Sequence, residues 1–93
     1  MKKSGIELIA IEREEQFKKH GRTISDDAIQ NSEGELVVGA LELLMPTSTA
    51  NHFPSHWDKN IVAKMVAKTR KERLVIAGAF ICAEIDRLNL LEK

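Results

Sequence analysis

The stretch TRKERLVIAGAFICAEIDRLNLL, Thr69–Leu91, decides the fold. Thr69 and Glu72 have the spacing of a capping box, in which a hydroxyl and a carboxylate each take a backbone N–H that the first helical turn leaves open. From Leu74 to Ala83 the chain is apolar almost all round, without the alternation that marks a half-buried strand. A helix with that pattern is covered on most sides. The spacing therefore predicts a helix over about Arg70 to Leu91 and makes it the core element.

Two further capping boxes lie upstream, Ser4-Gly5-Ile6-Glu7 and Ser32-Glu33-Gly34-Glu35. Each precedes an apolar run, so the three together predict three main helices. The first runs from about Ser4 to Lys19 and closes at His20-Gly21, where glycine can take the left-handed conformation. Ile6, Ile9, Ala10 and Phe17 form one stripe on it, with Leu8 and Ile11 on the other side. The second spans about Glu33 to Met45 and ends at Pro46, which cannot donate the next hydrogen bond. Leu36, Val37, Ala40, Leu41, Leu43 and Leu44 are expected to face inward, leaving Glu35, Val38, Gly39 and Glu42 outside. Between them, Ser25 caps one extra turn over Asp26 to Gln30 in one reading of that segment. Pro46 to Asn60 reads as a loop that Phe53 and Trp57 pin to the domain. Asp58 then caps a short fourth helix reaching Met65 or Ala67. The expected class is all-α: a compact bundle of three main helices plus a short fourth, in one domain over residues 1–93.

Length and charge narrow the function. At 93 residues the chain suits one small core. Lys plus Arg balance Asp plus Glu at 14 each, so no global field draws the protein to nucleic acid or an anionic membrane. A helix-turn-helix needs a basic recognition helix, and the last helix is too apolar for that role, so DNA binding is not expected. Charged residues interrupt every apolar run well short of the roughly 18 residues of a membrane span, and Glu7, Glu12, Arg13, Glu14 and Glu15 break any signal-peptide core after Lys2-Lys3. The one cysteine, Cys82, can form no internal disulfide and sits in an apolar run, which suits a buried thiol in a cytoplasmic protein. Burial raises a thiol's pKa and argues against a nucleophile.

Chemistry is concentrated in a few acids and cations. Glu12-x-x-Glu15 projects two carboxylates from one side of the first helix, a donor set for magnesium, which takes oxygen ligands and keeps several waters. The same residues also fit a solvated face, with Glu15 paired to Lys18 or Lys19. Asp26 and Asp27 either add ligands, Asp27 being the one expected to reach the metal, or bond to local amides as caps. Lys64, Lys68, Arg70, Lys71 and Arg73 surround the start of the last helix, where cations oppose the dipole and a phosphate would resolve the conflict. Lys71 and Arg73 are the candidate phosphate ligands; the alternative is a solvated basic face. Glu84 and Asp86 point almost oppositely on the last helix, with Arg87 a ready partner for Glu84. Gly78 between Ala77 and Ala79 reads as a site of tight helix packing. His20, His52 and His56 form no metal signature.

Glu12-Arg13 with Gln16, His20-Gly21-Arg22-Thr23, Asp26-Asp27, Gly34-Glu35-Leu36, Trp57-Asp58, Glu72-Arg73-Leu74, Ala77-Gly78-Ala79 and Ala83-Glu84-Ile85-Asp86-Arg87-Leu88 resemble a family of small, uncharacterised helical proteins encoded by phages and prophages, over nearly the whole chain. That resemblance implies a helical accessory protein of a mobile element. A looser similarity is to the all-α nucleoside triphosphate pyrophosphohydrolases of the MazG type, which hold magnesium with an E-x-x-E pair and a later E-x-x-D pair. Glu12-x-x-Glu15 matches the first pair; Val38 follows Glu35 where the second needs aspartate, and Glu84 and Asp86 are wrongly spaced. This second resemblance implies a magnesium-dependent enzyme acting on a nucleotide. The competing expectation is a noncatalytic helical module that forms a homodimer or higher oligomer through excess apolar helix surface.

Overall fold

The computed structural model describes residues 2–20, 31, 34–45 and 53–92. Among these residues there are four helices and no strand: α1 (Gly5–His20), α2 (Glu35–Leu44), α3 (Lys59–Val66) and α4 (Arg70–Leu91). The all-α expectation is met. The division into three main helices and one short one is not, because the lengths of 22, 16, 10 and 8 residues describe one long helix with shorter ones laid on it. α4 contacts the other three, α2 most extensively, then α1, and α3 least.

Two of the three capping boxes form. The amide of Glu7 donates to Ser4 Oγ at 3.2 Å and that of Ser4 to Glu7 Oε1 at 3.0 Å. At α4, Glu72 N donates to Thr69 Oγ1 at 3.2 Å and Thr69 N to Glu72 Oε1 at 3.2 Å. Both carboxyls are held below their ordinary pKa of 4.5, chiefly by these backbone donors and then by the hydroxyls. At α2 the expectation is corrected. The helix opens at Glu35, two residues late, with Gly34 as its N-cap at φ 86° and no side-chain cap. Glycine takes that left-handed conformation without a Cβ clash, so the turn is made by backbone freedom in place of a serine hydroxyl. Ser32, Ser25, Asp26 and Asp27 lie outside the described residues.

α2 ends at Leu44, one residue early, with Met45 extended at ψ 127°. The ring of a following proline disfavours the helical conformation at the residue before it. Asp58 caps α3 as expected, its Oδ1 accepting from Asn60 N at 2.8 Å and Ile61 N at 3.2 Å.

The core joins Leu36, Ala40 and Leu43 of α2 to Ile76, Ala77, Phe80 and Ala83 of α4, closed by Val62 and Met65 of α3 and by Phe53. Trp57 ties these parts together, as expected of an aromatic in that loop. Its ring stacks obliquely on Phe80, centroids 5.2 Å apart, and lies 6.1 Å from Phe53. Its Nε1 donates to Asn31 Oδ1 at 3.0 Å. The indole lies where a Cβ on Gly39 would be, so this glycine is needed for the close approach.

That approach also corrects the orientation of α2. Gly39 and Glu42, expected outside, are buried, whereas Val37, Leu41 and Leu44, expected inside, are exposed. The indole attracts the bare side of the helix and turns part of the leucine-rich side out. α1 departs in a similar way. Its Arg13 and Gln16 are buried, while Ile6 is 83% exposed. Arg13 Nη2 lies 3.6 Å from Asp86 Oδ2 on α4, and such an ion pair lets a polar side chain occupy a helix contact.

Candidate functional site

α1 crosses the beginning of α4, and Leu8 and Glu12 share one side of α1 by their i,i+4 spacing. A cleft of about 280 Å³ forms there between Leu8, Glu12, Lys68, Lys71, Glu72, Val75 and Ile76. Two of the expected functional residues thus meet, Glu12 from the carboxylate pair and Lys71 from the basic cluster. Glu12 is half-buried; Glu15 is exposed and does not line the cleft. Lys18 pairs with Glu14 at 2.6 Å. Asp27 lies outside the described residues.

The cleft is balanced in charge. Glu72, its pKa lowered chiefly by the Thr69 amide, stays ionised beside Lys68 and Lys71, and Glu12 adds a second anion. Among the described residues, no three side chains of His, Cys, Asp or Glu gather where they could hold a metal. A magnesium ion could still use Glu12 and Glu15, since it keeps most of its waters and needs few protein ligands.

Arg73 is turned away from this cleft. Its buried guanidinium donates from Nε to Leu43 O at 3.0 Å, and from Nη2 to Glu42 O at 3.1 Å and Met45 O at 2.7 Å. Arg70 Nη1 reaches Leu44 O at 2.7 Å. Together they satisfy the carbonyls that the end of α2 leaves open, at the negative end of its dipole. The basic cluster therefore divides: Arg70 and Arg73 hold α2, while Lys68 and Lys71 face the cleft. Spacing within α4 could not distinguish them, because the carbonyls lie about thirty residues away in sequence and their position is set by tertiary packing.

Further along α4, Arg87 binds Glu84 through Nε at 2.7 Å and Nη2 at 2.9 Å, which lowers the Glu84 pKa, chiefly by hydrogen bonding. Asp86 faces Arg13 instead. The two acids form separate pairs, as their spacing implies.

An apolar surface also stays open along α4. Leu74, Ile81, Ile85 and Leu88 of α4, the helix expected to be the core element, are between 41% and 52% exposed. Gly78 completes their 4-3-4-3 spacing, the period of a helix seam. Ile9 of α1 lies over Gly78, and beside it Ile6, Ile9, Ala10, Arg13, Glu14 and Cys82 line a trough of about 570 Å³. Cys82 is half-buried there and unbonded to any other cysteine. The seam spacing was visible in the sequence; what hid its exposure was the continuous apolar run around it. Among the described residues, no helix is long and apolar enough to cross a membrane. Comparison with family models, with characterised proteins and with solved structures returns no match, so the chain's own geometry carries the functional argument.

Proposed function

We propose that this protein is a noncatalytic helical interaction module that self-associates, a small cytoplasmic accessory protein of the phage or prophage type. The observation that carries this reading is the exposed row Leu74, Ile81, Ile85 and Leu88. Large apolar patches that stay open after a core has formed mark interaction surfaces. α2 adds exposed Val37, Val38 and Leu41. Sedimentation or light scattering across a range of concentrations is expected to reveal an oligomer; a single monomeric species at the highest concentration sinks the proposal.

A second reading, a magnesium-dependent nucleoside triphosphate pyrophosphohydrolase-like activity, is favoured by one observation: Glu12 and Lys71 line the same cleft. In it, Glu12 and Glu15 hold the ion and Lys71 neutralises charge on the phosphates. Bound magnesium supplies Lewis acidity and an activated water. Arg73 has no part in it, being occupied by the α2 carbonyls. The expected products from triphosphate and magnesium are monophosphate and pyrophosphate, lost in Glu12→Gln or Glu15→Gln. Absence of turnover by the folded protein over a nucleotide panel rejects this activity and leaves the interaction reading intact.

A further inference from the structure

We infer that the partner seated on α4 is a second copy of this chain, bound antiparallel about a two-fold axis at Ile81. This inference rests on the self-association proposed above and assigns it a surface and a geometry.

Symmetry is the first argument. A two-fold interface places the same patch on both subunits, so the patch must complement itself. Leu74 and Leu88 each lie seven residues from Ile81, and Arg70 and Glu92 each lie eleven away. An antiparallel pair centred on Ile81 therefore sets Leu74 beside the partner's Leu88, Ile81 beside the partner's Ile81 and Arg70 beside the partner's Glu92.

Charge supplies the second argument and chooses antiparallel over parallel. Arg70, one nitrogen of which is bound to Leu44 O, is exposed in the first turn of α4, where its charge opposes the positive end of the dipole. A parallel copy would double that conflict. An antiparallel copy brings Arg70 to the negative end of a neighbouring α4, beside exposed Glu92.

Shape supplies the third. The exposed ridge of Ile81, Ile85 and Leu88 borders the trough lined by Ile6, Ile9, Ala10 and Cys82 through Ile85, which lies one helical turn from Cys82. Ridge and trough on one face let each copy fill the other's trough. The outward side of α2 also carries exposed apolar side chains evenly spaced about Leu41, but it has no basic residue in its last turn to meet the acid of its first.

Cysteine cross-linking tests the geometry. In a Cys82→Ala background, oxidised Ile81→Cys is expected to form a covalent dimer, since two-fold contact can bring the two Cα atoms within the roughly 4.4–6.8 Å a disulfide spans. Leu74→Cys alone is expected to stay unlinked, whereas an equal mixture of Leu74→Cys and Leu88→Cys yields the mixed dimer. Ile81→Glu is expected to weaken association by about 30-fold or more, the effect of losing an interface hot spot, with its helical circular dichroism unchanged. Self-linking of Leu74→Cys would show a parallel pair and overturn the inference. So would an oligomer that resists Ile81→Glu and cross-links only through Leu41→Cys on α2, although self-association itself would then stand. A strictly monomeric protein overturns both.

Discussion

The two sides of α4 have similar hydrophobicity and opposite fates. Toward α2 it presents Ile76, Phe80 and Ala83, all buried; on the far side Leu74, Ile81, Ile85 and Leu88 stay open. Hydrophobicity does not separate them, since the open side carries the larger aliphatic residues. What separates them is fit. Alanines let helices approach closely, and the single large ring of Phe80 fills the space beneath Trp57, whereas the bulky aliphatic row stays open among the described residues. Burial of an apolar side chain depends on a surface that matches it, not only on its transfer free energy.

Substitutions on the two sides should separate this distinction. The largest effect is expected from Phe80→Ala, which opens a cavity under Trp57 and should cost about 3–5 kcal/mol in urea unfolding. If it costs no more than Ile85→Ala, the covered side is not a core. Arg73→Met should cost about 3 kcal/mol, because it strips hydrogen bonds from the carbonyls at the end of α2. The check is whether amide exchange accelerates first in α2. Gly39→Ala gains about 1 kcal/mol of helix propensity but forces the Trp57 ring aside, an overpacking worth typically 1–3 kcal/mol. Net destabilisation with altered tryptophan fluorescence is expected; a stabilised variant would show that the indole does not rest on α2. On the open side, Ile85→Ala should change the stability of the isolated subunit by less than about 0.5 kcal/mol, read at concentrations where association is absent.

Acid gives a smaller effect still. The carboxyls of Glu7, Glu72 and Glu84 all have depressed pKa values in the folded protein. A depressed carboxylate contributes stability that is complete above its unfolded pKa and is lost as pH falls through the folded value. Unfolding free energy should therefore be flat above about pH 5 and decline below the ordinary carboxylate pKa of 4.5. Glu72→Gln should flatten part of that decline. An unchanged slope would mean the Thr69 cap is as strong when protonated.

Much of the local structure was legible in the residues. Thr69 with Glu72, Ser4 with Glu7, and Asp58 before α3 all form the caps their spacing implies, because a cap needs only partners within one turn. Glu84 found Arg87 for the same reason. The candidate site was legible in part: Glu12 and Lys71 do share a cleft, but Arg73 left it for carbonyls on another helix. The orientation of α2 was missed because a leucine-rich stripe looks inward until a tryptophan from a distant loop selects the glycine beside it.

By itself, then, the sequence determined the helical class, the span of α4 and the local caps, all of which rest on interactions within a few residues along one chain. Tertiary structure alone decided which apolar side of α4 is covered, that Arg13 and Gln16 take the buried places on α1, and that two arginines close the end of α2. The physical reason is range. A helix fixes its own periodicity, but the surface opposite each of its faces is supplied by residues far away in sequence, and burial belongs to the pair of surfaces.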